Sequence, residues 1–281
     1  MTTKIYKKCL ICKNKSYLFF KVKDFFKKNN NLFKCINCGH GFYERAYSES
    51  KINSIYNQDY ALGYTDEVIS KDRELRLHQY RHDVNELKPF ISKKIISVFD
   101  YGCSSGDFLD AMPSNWKKYG FEINAHHRSY VKDKKKYIKI VDDLKSINRK
   151  FDLIVMRGVI EHIYHIEEVL RSVFLLLKKN GIFYVTATPD FSSVGATIQK
   201  ENWSQISCPE HIHNFTPTSL SILLAKYGVV LKHISHQYIN TPYANWKNDK
   251  ISFLESCNKK NTDKRFAFPG NMMTLVFEKI K

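Results

Sequence analysis

Nowhere in this 281-residue sequence does an apolar run exceed the length of a β-strand. The longest, residues 95–99 and 181–187, fall far short of the ~20 residues a bilayer-spanning helix requires, which excludes a helical membrane protein. Residues 1–8 lack the apolar core of a secretory signal, so the expectation is a cytoplasmic chain. Acidic residues are also scarce: 28 Asp and Glu stand against 45 Lys and Arg, a formal net charge of +17. Such an excess can serve an anionic partner, nucleic acid included. The lysines are spread along the chain, however, and a compositional bias toward Lys, Asn and Ile accounts for them equally well, so nucleic acid is the lesser candidate. The seven cysteines are an odd number in a chain without a signal segment, which argues against a disulfide framework. What is present in ordinary amounts is core-forming material, 43% hydrophobic and 14% aromatic, enough for one α/β domain and a small appendage.

Four of the cysteines form two CxxC pairs, Cys9 with Cys12 and Cys35 with Cys38, separated by 22 residues. Four thiolates suit a tetrahedral zinc ion with no open coordination position, which makes the metal structural rather than catalytic. Residues 17–22 and 32–34 have the composition of short strands, giving a zinc-ribbon-like hairpin over residues 1–45. So short a segment builds little core, and a metal would staple it. A redox CxxC and a nucleic-acid-binding ribbon are the competing readings; ten of the first 35 residues are Lys.

Residues 46–92 contain no long apolar run. Tyr47, Tyr56, Tyr60 and Tyr64 crowd one stretch, and residues 67–87 carry helical spacing ahead of Pro89. A helical linker is expected here, with Tyr60 or Tyr64 as candidates to cover a pocket.

From residue 93 onward the pattern changes to alternating strands and helices, the sign of a mainly parallel, doubly wound, Rossmann-like sheet. Residues 95–99 form a buried strand by pattern. It runs into Asp100-Tyr-Gly102-Cys-Ser104-Ser-Gly106, a small-residue loop that opens a helix and leaves backbone N–H groups facing a ligand. Glu122 ends a second strand about twenty residues on, where an acid can accept ribose hydroxyls. Residues 138–144 make a third strand ending in acids, 151–156 a fourth, and 182–187 a fifth. A helix is expected between the last two, running through Lys178. Two further strands, 229–235 and 273–279, close the sheet as an antiparallel edge.

The series DYGCSSGDFL, FDLIVMRGVIEHI, LKKNGIFYVTATPD and NWSQISCPEHIHNFTPTSL resembles the class I methyltransferases that use S-adenosyl-L-methionine (SAM), in the branch with an N-terminal four-cysteine zinc knuckle. The resemblance spans nearly the whole chain and includes sugar methyltransferases. It implies that Asp100, Gly102, Ser104 and Gly106 line the methionine part of SAM, that Glu122 holds the ribose, and that Asp143 and Leu144 meet the adenine. It also implies that Arg157, Glu161 and His162 lie near the methyl donor. Ser104 stands where the family more often has glycine.

Residues 189–218 form an acceptor-side insertion carrying Trp203, Cys208, Glu210, His211 and His213. Methyl transfer to a hydroxyl or a carbon acid requires loss of a proton, and a histidine beside a carboxylate is a suitable base. Glu210 and His211 are therefore the catalytic candidates, and they resemble the Glu-His pair of sugar C-methyltransferases with the same knuckle. The expected acceptor is a small, sugar-like molecule, nucleotide-linked or free. An RNA or protein methyltransferase with a basic recognition ribbon, and a non-catalytic binding protein of the same fold, are the rival readings.

Overall fold

The computed structural model describes residues 7–45, 47–52, 73–94, 96–258 and 267–281. Tyr60 and Tyr64, the candidates to cover a pocket, lie outside the described residues.

Two sheets organise the chain. The larger has seven strands: β5 (Ser97–Tyr101), β6 (Lys117–Phe121), β7 (Ile138–Val141), β8 (Phe151–Arg157), β9 (Leu177–Pro189), β11 (Val229–Ser235) and β12 (Met272–Lys279). Their order is β11-β12-β9-β8-β5-β6-β7. The strands from β5 to β9 run parallel, whereas β12 lies antiparallel to β9 and β11 antiparallel to β12, forming the expected edge. The chain crosses over the sheet through α2 (Asp107–Ala111), α3 (Ala125–Lys134) and α4 (Ile166–Leu176), with α6 (Pro217–Ala225) leading into β11. Central strands bury both faces, so β8 carries Leu153, Ile154, Val155 and Met156 without alternation. In α4, Ile166, Leu170, Val173 and Phe174 are buried on one helical face.

The smaller sheet joins β1 (Lys7–Lys8), β2 (Lys15–Lys23), β3 (Asn29–Cys35) and β4 (Gly41–Tyr43) in sequence order. Its fifth strand comes from far along the chain: β10 (His213–Asn214), from the acceptor-side insertion, pairs antiparallel with β4. Strand β4, and through it the small sheet, is thus joined to the insertion by backbone hydrogen bonds. Gly41 sits at this junction, where an added Cβ would lie 2.4 Å from the Phe191 ring, so only glycine permits the approach.

Three elements differ from the sequence reading. The helix expected to run through Lys178 stops at Leu176, because Leu177 already pairs with Phe151 as the start of β9. The insertion contains a short helix, α5 (Val194–Gln199), capped by the Ser193 hydroxyl. A further helix, α7 (Trp246–Cys257), had no clear apolar period; of its buried residues Asp249, Phe253 and Ser256, two are polar. Asp249 is satisfied by the Tyr238 hydroxyl at 2.6 Å and the Asn245 N–H at 2.7 Å.

Helix α1 (Arg73–Leu87) is attached to the sheet by a buried charge. The Arg157 Nε–H at the end of β8 donates to Asp83 Oδ2 at 2.8 Å, and Gln79 donates to Oδ1 at 2.7 Å. The guanidinium also lies over the Tyr80 ring, 4.5 Å from its centre. Asp83→Ala leaves this guanidinium without its anion and should cost about 3 kcal/mol, read as a lowered urea midpoint, with Asp83→Asn losing less. A change below about 1 kcal/mol would mean that apolar contact alone docks the helix.

Candidate functional site

The ligand-facing end of an open parallel sheet is the carboxyl end of its strands. The sequence candidates fall there, in two groups.

The first group surrounds the turn after β5. Gly102 (φ +85°), Ser104 (φ +47°) and Gly106 (φ +77°) all have left-handed backbone. That conformation favours glycine, which explains why a serine is the unusual residue at position 104. Its N–H donates to Glu122 Oε2 at 2.8 Å, and the Asn124 N–H donates to Glu122 Oε1 at 2.7 Å. Glu122, at the end of β6, is thereby oriented by two backbone amides, and each of its oxygens keeps a lone pair for a further donor. Asp100 is buried, and its Oδ1 has no hydrogen-bond partner among the described residues. Burial pushes its carboxyl up to about 7; Arg157 opposes the shift and Glu122 adds to it. Asp143 and Leu144 follow β7. The Asp143 carboxylate accepts from the Lys145 N–H at 2.9 Å and caps a short 3₁₀ turn, while Leu144 packs at the margin of the core. Arg157 lies at the end of β8 but turns its guanidinium toward α1, as described above. Cys103 is buried within the turn, and its thiol is pushed far above the ordinary range by burial.

The second group lies past β8. Glu161 and His162 form a 3₁₀ turn there, and His211 arrives from the insertion with its ring 4.7 Å from that of His162, edge to face. The His211 Nδ1–H donates to the Gln205 carbonyl at 2.9 Å and the His162 Nδ1–H to the Glu210 carbonyl at 3.0 Å. The Glu210 carboxylate accepts from the Ser207 hydroxyl. Within this turn the His211 N–H bonds the Ser207 carbonyl at 2.8 Å, and a cis peptide joins Cys208 to Pro209. Glu210 thus acts on the histidines through its turn and its carbonyl. His213 is buried against Phe215 and His40, and burial lowers its pKa to about 3, which keeps it neutral.

Sequence reasoning missed the pairing of His236 with Asp190, whose Nε2 and Oδ2 lie 2.7 Å apart just past β11 and β9. The two are 46 residues apart with no local motif, so only the antiparallel strand register could have found them. Gln205, Ser207 and Thr188 were missed for the same reason: each contributes one oxygen to another residue's orientation.

The four cysteines converge as the spacing predicts. The Cys9 and Cys38 sulfurs are 3.7 Å apart, those of Cys12 and Cys35 3.4 Å, and all four lie within 4.8 Å of one another. Sulfurs around tetrahedral zinc sit about 3.8 Å apart, so the donor set and its spacing fit that ion. The Ile11 N–H is directed at the Cys9 sulfur and the Asn37 N–H at the Cys35 sulfur, each at 3.4 Å. The cluster touches the acceptor side. His40 Nδ1 lies 3.8 Å from Cys9 Sγ, its Nε2 lies 3.2 Å from His213 Nδ1, and the Thr216 hydroxyl donates to the Cys38 carbonyl at 2.7 Å.

A family model described as a methyltransferase domain matches residues 72–234. The chain is 25% identical over 168 residues to a ubiquinone biosynthesis O-methyltransferase from Pelagibacter ubique (strain HTCC1062), covering 55% of this chain and 70% of that protein. Among solved structures it is similar in fold to the magnesium protoporphyrin IX methyltransferase of Synechocystis PCC 6803 with bound S-adenosylhomocysteine (SAH), at TM-score 0.55 and 13% identity. That match covers 83% of this chain and 100% of the other. It is also similar to the 1,6-didemethyltoxoflavin-N1-methyltransferase of Burkholderia thailandensis with bound 1,6-didemethyltoxoflavin and SAH, at TM-score 0.54 and 11% identity, covering 88% of this chain and 98% of the other. No helix among the described residues is long and apolar enough to cross a membrane.

Metal analysis of the purified protein should find one zinc per chain, lost in the Cys9→Ser, Cys35→Ser double variant. Because β10 pairs with β4, amide exchange should quicken at residues 213–216 as well as in β1–β4. Zinc retained by the double variant would rule out the cysteine cluster as its site.

Proposed function

The chain belongs to the methyltransferase family that this model describes and is a SAM-dependent enzyme, and on that premise we propose that it methylates a hydroxyl, or a carbon, of a small, sugar-like acceptor. The observation that carries the proposal is the convergence of His211, from the insertion, with Glu161 and His162 at the carboxyl end of β8. These groups and the turn after β5 lie at the same carboxyl ends of the strands, which supports reading them as one site. The sugar-like character rests on the resemblance of the Glu210-His211 pair to that of sugar methyltransferases.

Bound SAM supplies a methyl group already activated on a sulfonium. The protein's share is positioning and proton removal. Asp100 fits the amino group of the donor: a buried carboxylate oxygen lacking a partner is satisfied by a cation. Gly102, Ser104 and Gly106 let the backbone approach the donor closely, and Glu122, already aligned by two amides, accepts the ribose hydroxyls. Asp143 and Leu144 border the adenine, and the Arg157 charge partly offsets the burial of Asp100. On the acceptor side, His211 is the residue on which deprotonation depends, and Glu210 holds the turn that carries it. Zinc on Cys9, Cys12, Cys35 and Cys38 keeps the small sheet, and with it β10, in register. Three further cysteines without disulfide partners suit a reducing, cytoplasmic setting.

The test is methyl transfer from labelled SAM to a panel of free and nucleotide-linked sugars, with RNA and protein fractions alongside. Label in the sugars alone supports the proposal; label in RNA or protein alone overturns it. Glu122→Ala should weaken SAM binding in calorimetry, and undiminished binding would reject the ribose role. SAM affinity should fall about tenfold between pH 8 and pH 6 as Asp100 takes up a proton and loses its charge, measured relative to Asp100→Asn, whose response reports the ligand's own amino group. Equal pH responses would remove Asp100 from the site. His211→Ala should bind SAM normally and lose methyl transfer by roughly 10²–10⁴-fold. Retained transfer would dismiss it.

A further inference from the structure

The chain between β7 and β8 passes beside α4 on its way back to the sheet. Leu144 follows the carboxyl end of β7, and Lys150 immediately precedes β8. Between this crossing and the second half of α4 lies a cavity of about 390 Å³. We propose that it binds a small organic anion, an apolar body carrying a carboxylate, phosphate or sulfonate group, at a site apart from that of the methyl donor. The proposal goes beyond the methyl-transfer reading and does not rest on it.

Two kinds of side chain line the cavity. Leu144, Ile147, Leu175 and Leu176 give it apolar walls; Lys145, Arg149 and Lys150 give it positive charge, and no acid lines it. Leu175 is 68% exposed. An exposed leucine by itself needs no explanation, but one in the wall of a cavity of ligand size, about 300–1,000 Å³, is apolar surface that an occupant would cover.

The charges identify the occupant. Lys145 and Lys150 are exposed, and their ammonium groups form no ion pair or hydrogen bond among the described residues. The nearest acid along β8, Asp152, is already paired with Lys93 and Lys178. Arg149 rests on Tyr119: its Nη1–H donates to the phenol oxygen, and the guanidinium carbon lies 4.7 Å from the ring centre. That anchor uses one of five N–H donors and fixes the plane of the others. The positive field reaches beyond the lining, since burial and then the Lys150 charge lower the pKa of Lys279. A neutral or cationic occupant would leave these charges repelling one another. An anion neutralises them and gains charge-assisted hydrogen bonds, while its apolar body covers the leucines. Inorganic phosphate would meet only half of that lining.

Position separates this cavity from the donor site. SAM belongs at the carboxyl ends of the strands. Arg149 and Lys150 stand at the amino end of β8, and Leu144 is the one lining residue that also belongs to the proposed SAM site.

The experiment is calorimetric titration of the full chain with three naphthalenes of one shape: 2-naphthalenesulfonate, 2-naphthalenemethanol and 2-naphthylmethylammonium. One sulfonate per chain should bind with Kd below about 1 mM. The alcohol and the ammonium should bind at least about tenfold more weakly. Leu175→Asp and Lys150→Glu should each weaken the sulfonate by at least about tenfold. Both positions are exposed, so the fold is not at stake. Lys247→Glu, at an exposed position on α7, changes the net charge equally and should leave the affinity unchanged. Saturating SAH should leave the sulfonate bound. No uptake at about 10 mM, or equal binding of all three compounds, overturns the proposal. A loss in Lys247→Glu that matches Lys150→Glu reduces the effect to net charge and also overturns it. Displacement by SAH, or unchanged affinity in either site variant, does the same.

Discussion

Phe42 lies opposite His213, and Gly41 opposite Asn214, and the acceptor side hangs on that short contact. The chain leaves β9 at Pro189, makes a capped helix and a cis-proline turn, and must return to the sheet before α6 begins. A segment of that length cannot hold one shape without an anchor, because every ordered residue loses conformational entropy. The anchor is β4, the strand just past the second CxxC pair. Phe191 fills the space above Gly41, and the Thr216 hydroxyl bonds the Cys38 carbonyl. The cysteine cluster therefore does more than hold its own hairpin: it fixes the strand on which the His211 segment rests.

Charge organises the other side. Asp83 pairs with Arg157, and Arg157 and Glu122 act in opposite senses on the buried Asp100. Arg157 is neutralised by Asp83 and so draws α1 onto the sheet, and the same arginine partly offsets the burial of Asp100. Asp100 and Glu122 repel one another. Two backbone amides orient Glu122, whereas Asp100 Oδ1 has no partner among the described residues. A cationic amino group would complete the arrangement.

Much of this was readable from one-dimensional pattern. The parallel strands are apolar runs bounded by small residues, and each run became a strand within a few residues of its expected place. The two CxxC pairs specified a four-sulfur cluster, because a CxxC turn presents both thiols from one loop. The turn after β5 announced itself by its glycines, and Ser104, the odd residue there, carries the left-handed backbone that glycine usually supplies. Helix α7 was not readable, since two of its three buried positions, Asp249 and Ser256, are polar. The partner expected for His211 was only half readable. Glu210 is adjacent in sequence, yet its carboxylate serves the Ser207 turn and its carbonyl serves His162.

The sequence by itself determined the elements whose cause is local: strand and helix periods, the thiol pairs, the tight turn with its small residues, and the acids that end β5 and β6. Tertiary structure alone decided which distant residues share a site. That β10 would complete the small sheet, that Arg157 would pair with Asp83, that His236 would meet Asp190, and that His211 would come to rest beside Glu161 and His162 all depend on strand register and on where a long insertion is anchored. No neighbouring residues encode such contacts. They exist only once the sheet has set the positions of chain segments far apart in sequence.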